Sequence, residues 1–302
     1  MSKRIPAVAA LILALSLLAQ PAPAQERGRP ARIGGKPNLN GIWQAVNEAH
    51  WNLEGHSAES LPEFVNAMGA IAAIPAGNSV VVGGTIPYKP EALAKRAENR
   101  AGWPASDPEA NCYMPGIPRA TYMPYPFQIV QGEGDQILFS YTFANANRPV
   151  FMRDHQRAPV DLWMGRSNGS WDGDTLVIEV NSNIENTWLD RAGNHHSAAM
   201  VVTERYTLID EHVMQYEATI EDPETFSRPW TIRMPLYRRA EADARLLEFN
   251  CVMLSEPLLY GKFEAAGNTQ MVWYVLAGHM FVAVAVFWVF VKVAGEFKEL
   301  DA

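Results

Sequence analysis

The chain has 302 residues, with 25 basic and 33 acidic side chains and a formal charge of -8. Removing Lys3 and Arg4 with a leader leaves 23 against 33, a charge of -10, and no Lys/Arg block survives in the remainder. That balance argues against a nucleic-acid partner, which needs a basic footprint. The length allows one domain of ordinary or large size, or two small ones.

The N-terminus reads as a secretory signal over residues 1–24. Lys3 and Arg4 give a positive start, and Val8–Ala19 is apolar apart from Ser16. Ala22-Pro23-Ala24 offers small residues for cleavage. The run is short for a bilayer, which favours a cleaved leader over an uncleaved anchor. Residues 25–36 are rich in Gly, Pro and Arg and read as a linker.

Residues 37–110 read as an irregular or helical region. Pro37 to Gly41 resembles a turn feeding a strand at Ile42 and Trp43. Within Ser60–Ala73, apolar residues recur at roughly helical spacing, and Pro90–Arg100 reads as a short exposed helix. Residues 111–262 read as a β-rich domain. Met214, Tyr216, Ala218 and Ile220 alternate with Gln215, Glu217 and Thr219, the period of a half-buried strand. Several such short runs predict a mainly β fold, an antiparallel lipocalin-like barrel or a sandwich.

Met271–Val291 is apolar and carries no fixed charge, with Trp273, Tyr274 and Trp288 near its ends and Lys292 and Lys298 after it. This pattern predicts a C-terminal transmembrane helix. The expected topology is single-pass in a bacterial inner membrane, with the bulk of the chain periplasmic and the C-terminus cytoplasmic. Cys112 and Cys251 are compatible with a disulfide outside the cytoplasm and equally with two buried thiols, because spacing does not give geometry.

Gly165-Arg166-Ser167-Asn168-Gly169 matches a nucleophile-elbow pattern, but turn and strand residues follow where that motif needs a helix. Asn168, Ser170, Asp172, Gly173 and Glu179 fall at EF-hand spacing, and a hairpin turn at Asp172-Gly173 explains them more simply. His155, His195, His196 and Asp190 are the candidates for acid–base catalysis, since histidine beside carboxylates can move protons. The competing expectation is that these groups pair with one another at strand ends and loops. No spacing predicts a metal site, and no cofactor is named by the sequence. His279 lies inside the apolar span, where an ionisable group is a functional candidate: a cofactor ligand to haem or a chlorophyll-type pigment, or a subunit contact, with a neutral ring that merely hydrogen-bonds nearby as the competing expectation. Gly278 and Ala285 share a face that would admit a second transmembrane subunit.

The run Pro124-Tyr125-Pro126-Phe127-Gln128-Ile129, Trp163-Met164-Gly165-Arg166-Ser167, Trp171-Asp172-Gly173-Asp174-Thr175-Leu176-Val177 and Thr219-Ile220-Glu221-Asp222-Pro223 resembles motifs of a large, uncharacterised family of secreted bacterial proteins. The resemblance covers about residues 37–261 and implies no settled activity. The chain departs from it at Arg153-Asp154-His155-Gln156-Arg157, where members often carry Asp-Gly-Arg-x-His-Pro, and in its C-terminal apolar segment. The second departure implies a membrane partner or a membrane-derived ligand. Together these readings predict a membrane-anchored periplasmic accessory subunit. The alternative is a periplasmic binding protein or acid–base enzyme for a small apolar molecule.

Overall fold

The computed structural model describes residues 31–60, 73–241, 243–251 and 271–300. The expected signal peptide and most of the expected helix at Ser60–Ala73 lie outside the described residues.

The chain divides into two units, Met1–Asn38 and Leu39–Ala302. The described part of the first is a hairpin of β1 (Arg32–Ile33) and β2 (Lys36–Pro37), paired Arg32 to Pro37 and Ile33 to Lys36. Gly34 and Gly35 connect them at φ 54° and 76°. A two-residue turn that matches strand twist needs positive φ at both positions, which glycine adopts without steric cost.

The second unit is built on a closed nine-stranded barrel. Its strands are β3 (Gly41–Ala45), β4 (Phe127–Gln131), β5 (Gln136–Tyr141), β6 (Asn147–Phe151), β7 (Arg166–Asp172), β8 (Thr175–Asn181), β9 (Val201–Leu208), β10 (Val213–Glu221) and β11 (Trp230–Arg238). Each strand pairs with the next in the chain, and β11 closes on β3. An odd number of strands cannot alternate direction all the way round, so one neighbouring pair must run parallel. That pair is β6–β7, joined only at Val150–Ser167 and Phe151–Asn168. The expected all-antiparallel barrel or sandwich is thus corrected to a mixed barrel.

Alternation sets which side chains point inward. Met214, Tyr216, Ala218 and Ile220 of β10 are all fully buried, and so are Ile232 and Leu236 of β11, with Trp230 and Met234 nearly so. Aromatic rings fill the middle of the barrel: Phe139 lies 5.4 Å from Tyr206, and Tyr206 lies 5.0 Å from Tyr216. One ion pair is buried among them. Arg148 on β6 bonds Glu204 on β9, and Arg148 Nε donates to Ser167 Oγ at 2.7 Å. The hydroxyls of Tyr206 and Tyr216 donate to Glu204 Oε1 at 2.9 and 2.8 Å. The charges are tolerated because each is paired and further hydrogen-bonded.

Outside the barrel lie helix α1 (Pro90–Gly102) and the short α2 (Arg119–Tyr122). Pro90 opens α1, where a missing N–H costs nothing. Cys112 and Cys251 are bonded, with Cα atoms 5.7 Å apart. The chain approaching Cys251 also packs on the barrel. Phe249 meets Phe143 and Tyr125 at 5.0 and 5.2 Å, and Asn145 Nδ2 donates to its carbonyl.

Helix α3 (Met271–Leu300) occupies the segment expected to span a bilayer over Met271–Val291. Among the described residues, no helix is long and apolar enough to cross a membrane. A span needs about 20 consecutive apolar residues with few charges, and α3 continues past its apolar stretch through Lys292, Glu296, Lys298 and Glu299. The transmembrane helix is therefore corrected to a helix. With it fall the single-pass inner-membrane location, the bilayer as partner, the second transmembrane subunit through Gly278, His279 and Ala285, and the accessory-subunit reading.

Candidate functional site

A cleft of about 1020 Å³ opens beside the barrel. Its walls come from α1, from the loop 106–113, from the connection around Trp163 and from the loop 185–197. Glu224 and Thr225 complete it.

The loop 185–197 is shaped from within by Asp190, which is fully buried. Its carboxylate accepts from the backbone N–H groups of Leu53, Ala192 and Asn194 and from the Asn194 side chain. Burial pushes the Asp190 carboxyl up from its ordinary value, although these donors and Arg119 pull the other way. These donors occupy both carboxylate oxygens, so Asp190 ties Leu53 to the loop 185–197. Trp188 and His195 are bridged across this loop, which returns through Gly193 at φ 83°.

Gly193 sits against α1. A Cβ there would lie 2.6 Å from Arg96 O and 2.7 Å from Arg100 N. Asn99 Nδ2 donates to Gly193 O at 3.3 Å. The close approach of loop to helix sets where that wall of the cleft stands.

His195 and His196 both line the cleft. The His195 backbone N–H donates to Tyr88 Oη at 3.0 Å. Its Nε2 lies 3.0 Å from the Ala92 carbonyl. A carbonyl only accepts, so Nε2 carries the proton and Nδ1 holds the lone pair. His196 is buried, with Nδ1 2.8 Å from Ser197 O and Nε2 2.7 Å from Thr187 Oγ1. The same argument puts its proton on Nδ1 and makes Thr187 the donor to Nε2. Burial lowers the His196 pKa, so the ring is held neutral.

Ser197 donates through Oγ to Asp222 Oδ1 at 2.8 Å, and its N–H donates to Asp222 Oδ2. His196 therefore faces a carbonyl and a threonine, and no Ser–His–carboxylate relay forms here.

The aromatic part of the cleft is a pair and a third ring. Tyr113 and Trp163 stack with centroids 4.9 Å apart and planes within 3°. Trp188 is nearly buried in the adjoining wall. Cys112, bonded to Cys251, directly precedes Tyr113, so the disulfide anchors the loop that carries the exposed ring.

A buried ionic network braces the same walls from behind. Arg119 forks onto Asp107 at 2.8 and 2.9 Å and reaches Glu109 Oε2 at 2.6 Å. Arg191 meets Glu109 from the other side. These bonds tie the loop carrying Asp107 and Glu109 to α2 and to the loop 185–197. Burial alone would raise the Glu109 carboxyl, but Arg191 and Arg119 outweigh it and hold it at about 2. His50 beside this network is lowered to about 3, first by burial and then by Arg191.

The remaining sequence candidates lie elsewhere. His155 is exposed in the connection from β6 to β7, where Nε2 donates to Gly169 O at 2.8 Å. His279 is exposed on α3. Ser167, central to the elbow pattern, is buried on β7 and accepts from Arg148. Asn168 and Glu179 of the EF-hand spacing face each other in the β7–β8 hairpin. Among the described residues, no group of three or more His, Cys, Asp and Glu side chains is placed to hold a metal ion. Sequence reasoning assigned no role to Thr187, Tyr113, Asp107, Glu109 and Arg119.

Fold and cleft define a mixed β-barrel domain with an aromatic-walled cleft beside the barrel. No family model, curated protein or solved structure matches the chain, so the resemblance to the secreted bacterial family, read from short motifs, does not stand.

Proposed function

We propose that this chain is a small-molecule-binding barrel protein of the periplasmic type, taking its ligand in the lateral cleft. The observation that carries the reading is the cleft of about 1020 Å³, which joins three aromatic rings to His195, His196 and Ser197. Ligand sites combine apolar and aromatic walls with a few placed polar groups in such concavities. The Cys112–Cys251 bond supports an oxidising compartment. Aromatic residues and the Arg148–Glu204 pair occupy the middle of the barrel, which favours the lateral cleft over a lipocalin-type central one.

A second reading, acid–base catalysis on the bound molecule, is favoured by His195. Its Nε2 is committed to Ala92 O, and Nδ1 has no partner among the described residues. That nitrogen is available to take a proton, whereas His196 Nε2 is occupied by Thr187.

The test is a fragment library screened by ligand-observed NMR against the wild-type chain and Trp163→Ala. Hits that bind the first and lose binding to the second support the cleft. Hits indifferent to Trp163→Ala, or no hits at all, sink the proposal. For the second reading, His195→Phe should keep binding and abolish any turnover of a hit.

A further inference from the structure

Charge at the cleft rim points to a ligand class. Glu91, Glu185 and Glu224 line the cleft, are exposed, and have no ion-pair partner among the described residues. The one cationic side chain of the lining, Lys95, is paired with Glu98 at 3.2 Å. Carboxylates of one sign around a concavity raise the local concentration of cations and repel anions. The aromatic wall acts in the same direction. Indole and phenol faces attract cations through their quadrupoles. Tyr113, stacked on Trp163, remains 52% exposed. An apolar molecule would use the rings and leave the carboxylates without a role. An organic cation uses both.

We infer that the cleft binds an organic cation: an ammonium group on a flat hydrocarbon body, the charge drawn both to the ring faces of Tyr113, Trp163 or Trp188 and to the carboxylates of Glu91, Glu185 and Glu224. The inference rests on the small-molecule reading of the cleft.

The experiment titrates the full chain with three probes of similar shape: benzyltrimethylammonium, benzyl alcohol and benzoate. Binding is read by calorimetry and by the indole N–H signals of Trp163 and Trp188. The cation should bind about tenfold more tightly than the alcohol, as expected for a cation at aromatic faces, and benzoate should not bind. The exposed double variant Glu185→Gln/Glu224→Gln should keep the fold and lose most of that preference. Added salt should weaken the cation and leave the alcohol unchanged, because exposed charges are screened. Equal binding of alcohol and cation at Trp163, or a preference that survives the double variant, overturns the cation inference and leaves the small-molecule reading intact. No binding by any probe also overturns the inference, and the small-molecule reading is then decided by the fragment screen.

Discussion

The Thr187 hydroxyl donates to His196 Nε2 across 2.7 Å, while His196 Nδ1 donates to the Ser197 carbonyl at 2.8 Å. Both ring nitrogens are thus committed, and protonating Nε2 would require the Thr187 hydroxyl to turn from donor to acceptor. Burial lowers the pKa in the same sense. Nitrogen-15 spectra should show His196 as the neutral Nδ1–H tautomer at pH values where a free histidine is half protonated. A doubly protonated ring at pH 6 would refute this arrangement. Because the folded-state pKa lies below the unfolded one, the neutral ring stabilises the fold above the ordinary histidine value, and that contribution is lost as pH falls.

The wall formed by α1 depends on Gly193. Alanine there would need φ 83° and would drive its Cβ to 2.6 Å from Arg96 O, so strain and steric overlap act together. Gly193→Ala should cost at least about 1 kcal/mol of stability in chemical denaturation. It should also shift amide signals along Pro90–Gly102 and weaken cleft ligands. Unchanged helix signals would show that the loop can yield without moving α1.

His50 and Glu109 give the fold a worked dependence on acid. His50 is neutral when folded, with a pKa of about 3 against 6.5 in the free side chain. The unfolded chain therefore binds the extra proton first, and stability falls as pH drops from 6.5 toward 3. Glu109, held at about 2 against 4.5, adds a second loss that starts lower, between 4.5 and 2. His50→Gln should flatten the upper part of the unfolding-midpoint curve, between pH 6.5 and 4.5, and leave the lower part steep. A curve that keeps its full slope above pH 4.5 in that variant would assign the effect to other groups.

Much of the barrel was legible because a strand carries its own period. Met214, Tyr216, Ala218 and Ile220 alternate in sequence and are buried in β10, and a hairpin turn joins β7 to β8 at Gly173-Asp174, one residue on from the expected Asp172-Gly173. The parallel β6–β7 pair was not legible, since parity of strand number is a property of the closed ring and not of any segment. The site was legible only in fragments. His195 and His196 were singled out from one dipeptide, and both reach the cleft. Their roles depend on Ala92 and Thr187, positions that no motif marks. Asp190 stands out in sequence because it lies beside Arg191 and near the histidines. Its total burial and its donors, three from its own loop and one from Leu53, are invisible in sequence. The expected span at Met271–Val291 rests on hydropathy, flanking aromatic residues and following lysines, and no described helix is long and apolar enough to bear it out.

Arg148 and Glu204 should show strong energetic coupling. Removing one partner leaves the other charge buried among Phe139, Tyr206 and Tyr216. Arg148→Met or Glu204→Gln should each cost about 3–5 kcal/mol. The double variant should cost clearly less than the sum, because no uncompensated charge remains. Additive losses in a double-mutant cycle would show that each side chain acts through separate contacts.

The Cys112–Cys251 bond should matter to both stability and the cleft. It closes a sequence separation of 139 residues, so in the unfolded chain it removes considerable loop entropy. Reduction, or Cys112→Ser with Cys251→Ser, should cost about 2–5 kcal/mol. Cys112 sits at φ 63°, immediately before Tyr113, and Phe249 near Cys251 packs on Tyr125 and Phe143. Release of the bond should therefore loosen Tyr113 from Trp163 before the barrel unfolds. Tryptophan fluorescence under reducing, non-denaturing conditions reads this directly, because the stacked pair at 4.9 Å is broken while far-ultraviolet circular dichroism stays constant. A fluorescence change that coincides with loss of the β signal would mean that the bond supports the barrel as a whole and not the cleft wall in particular.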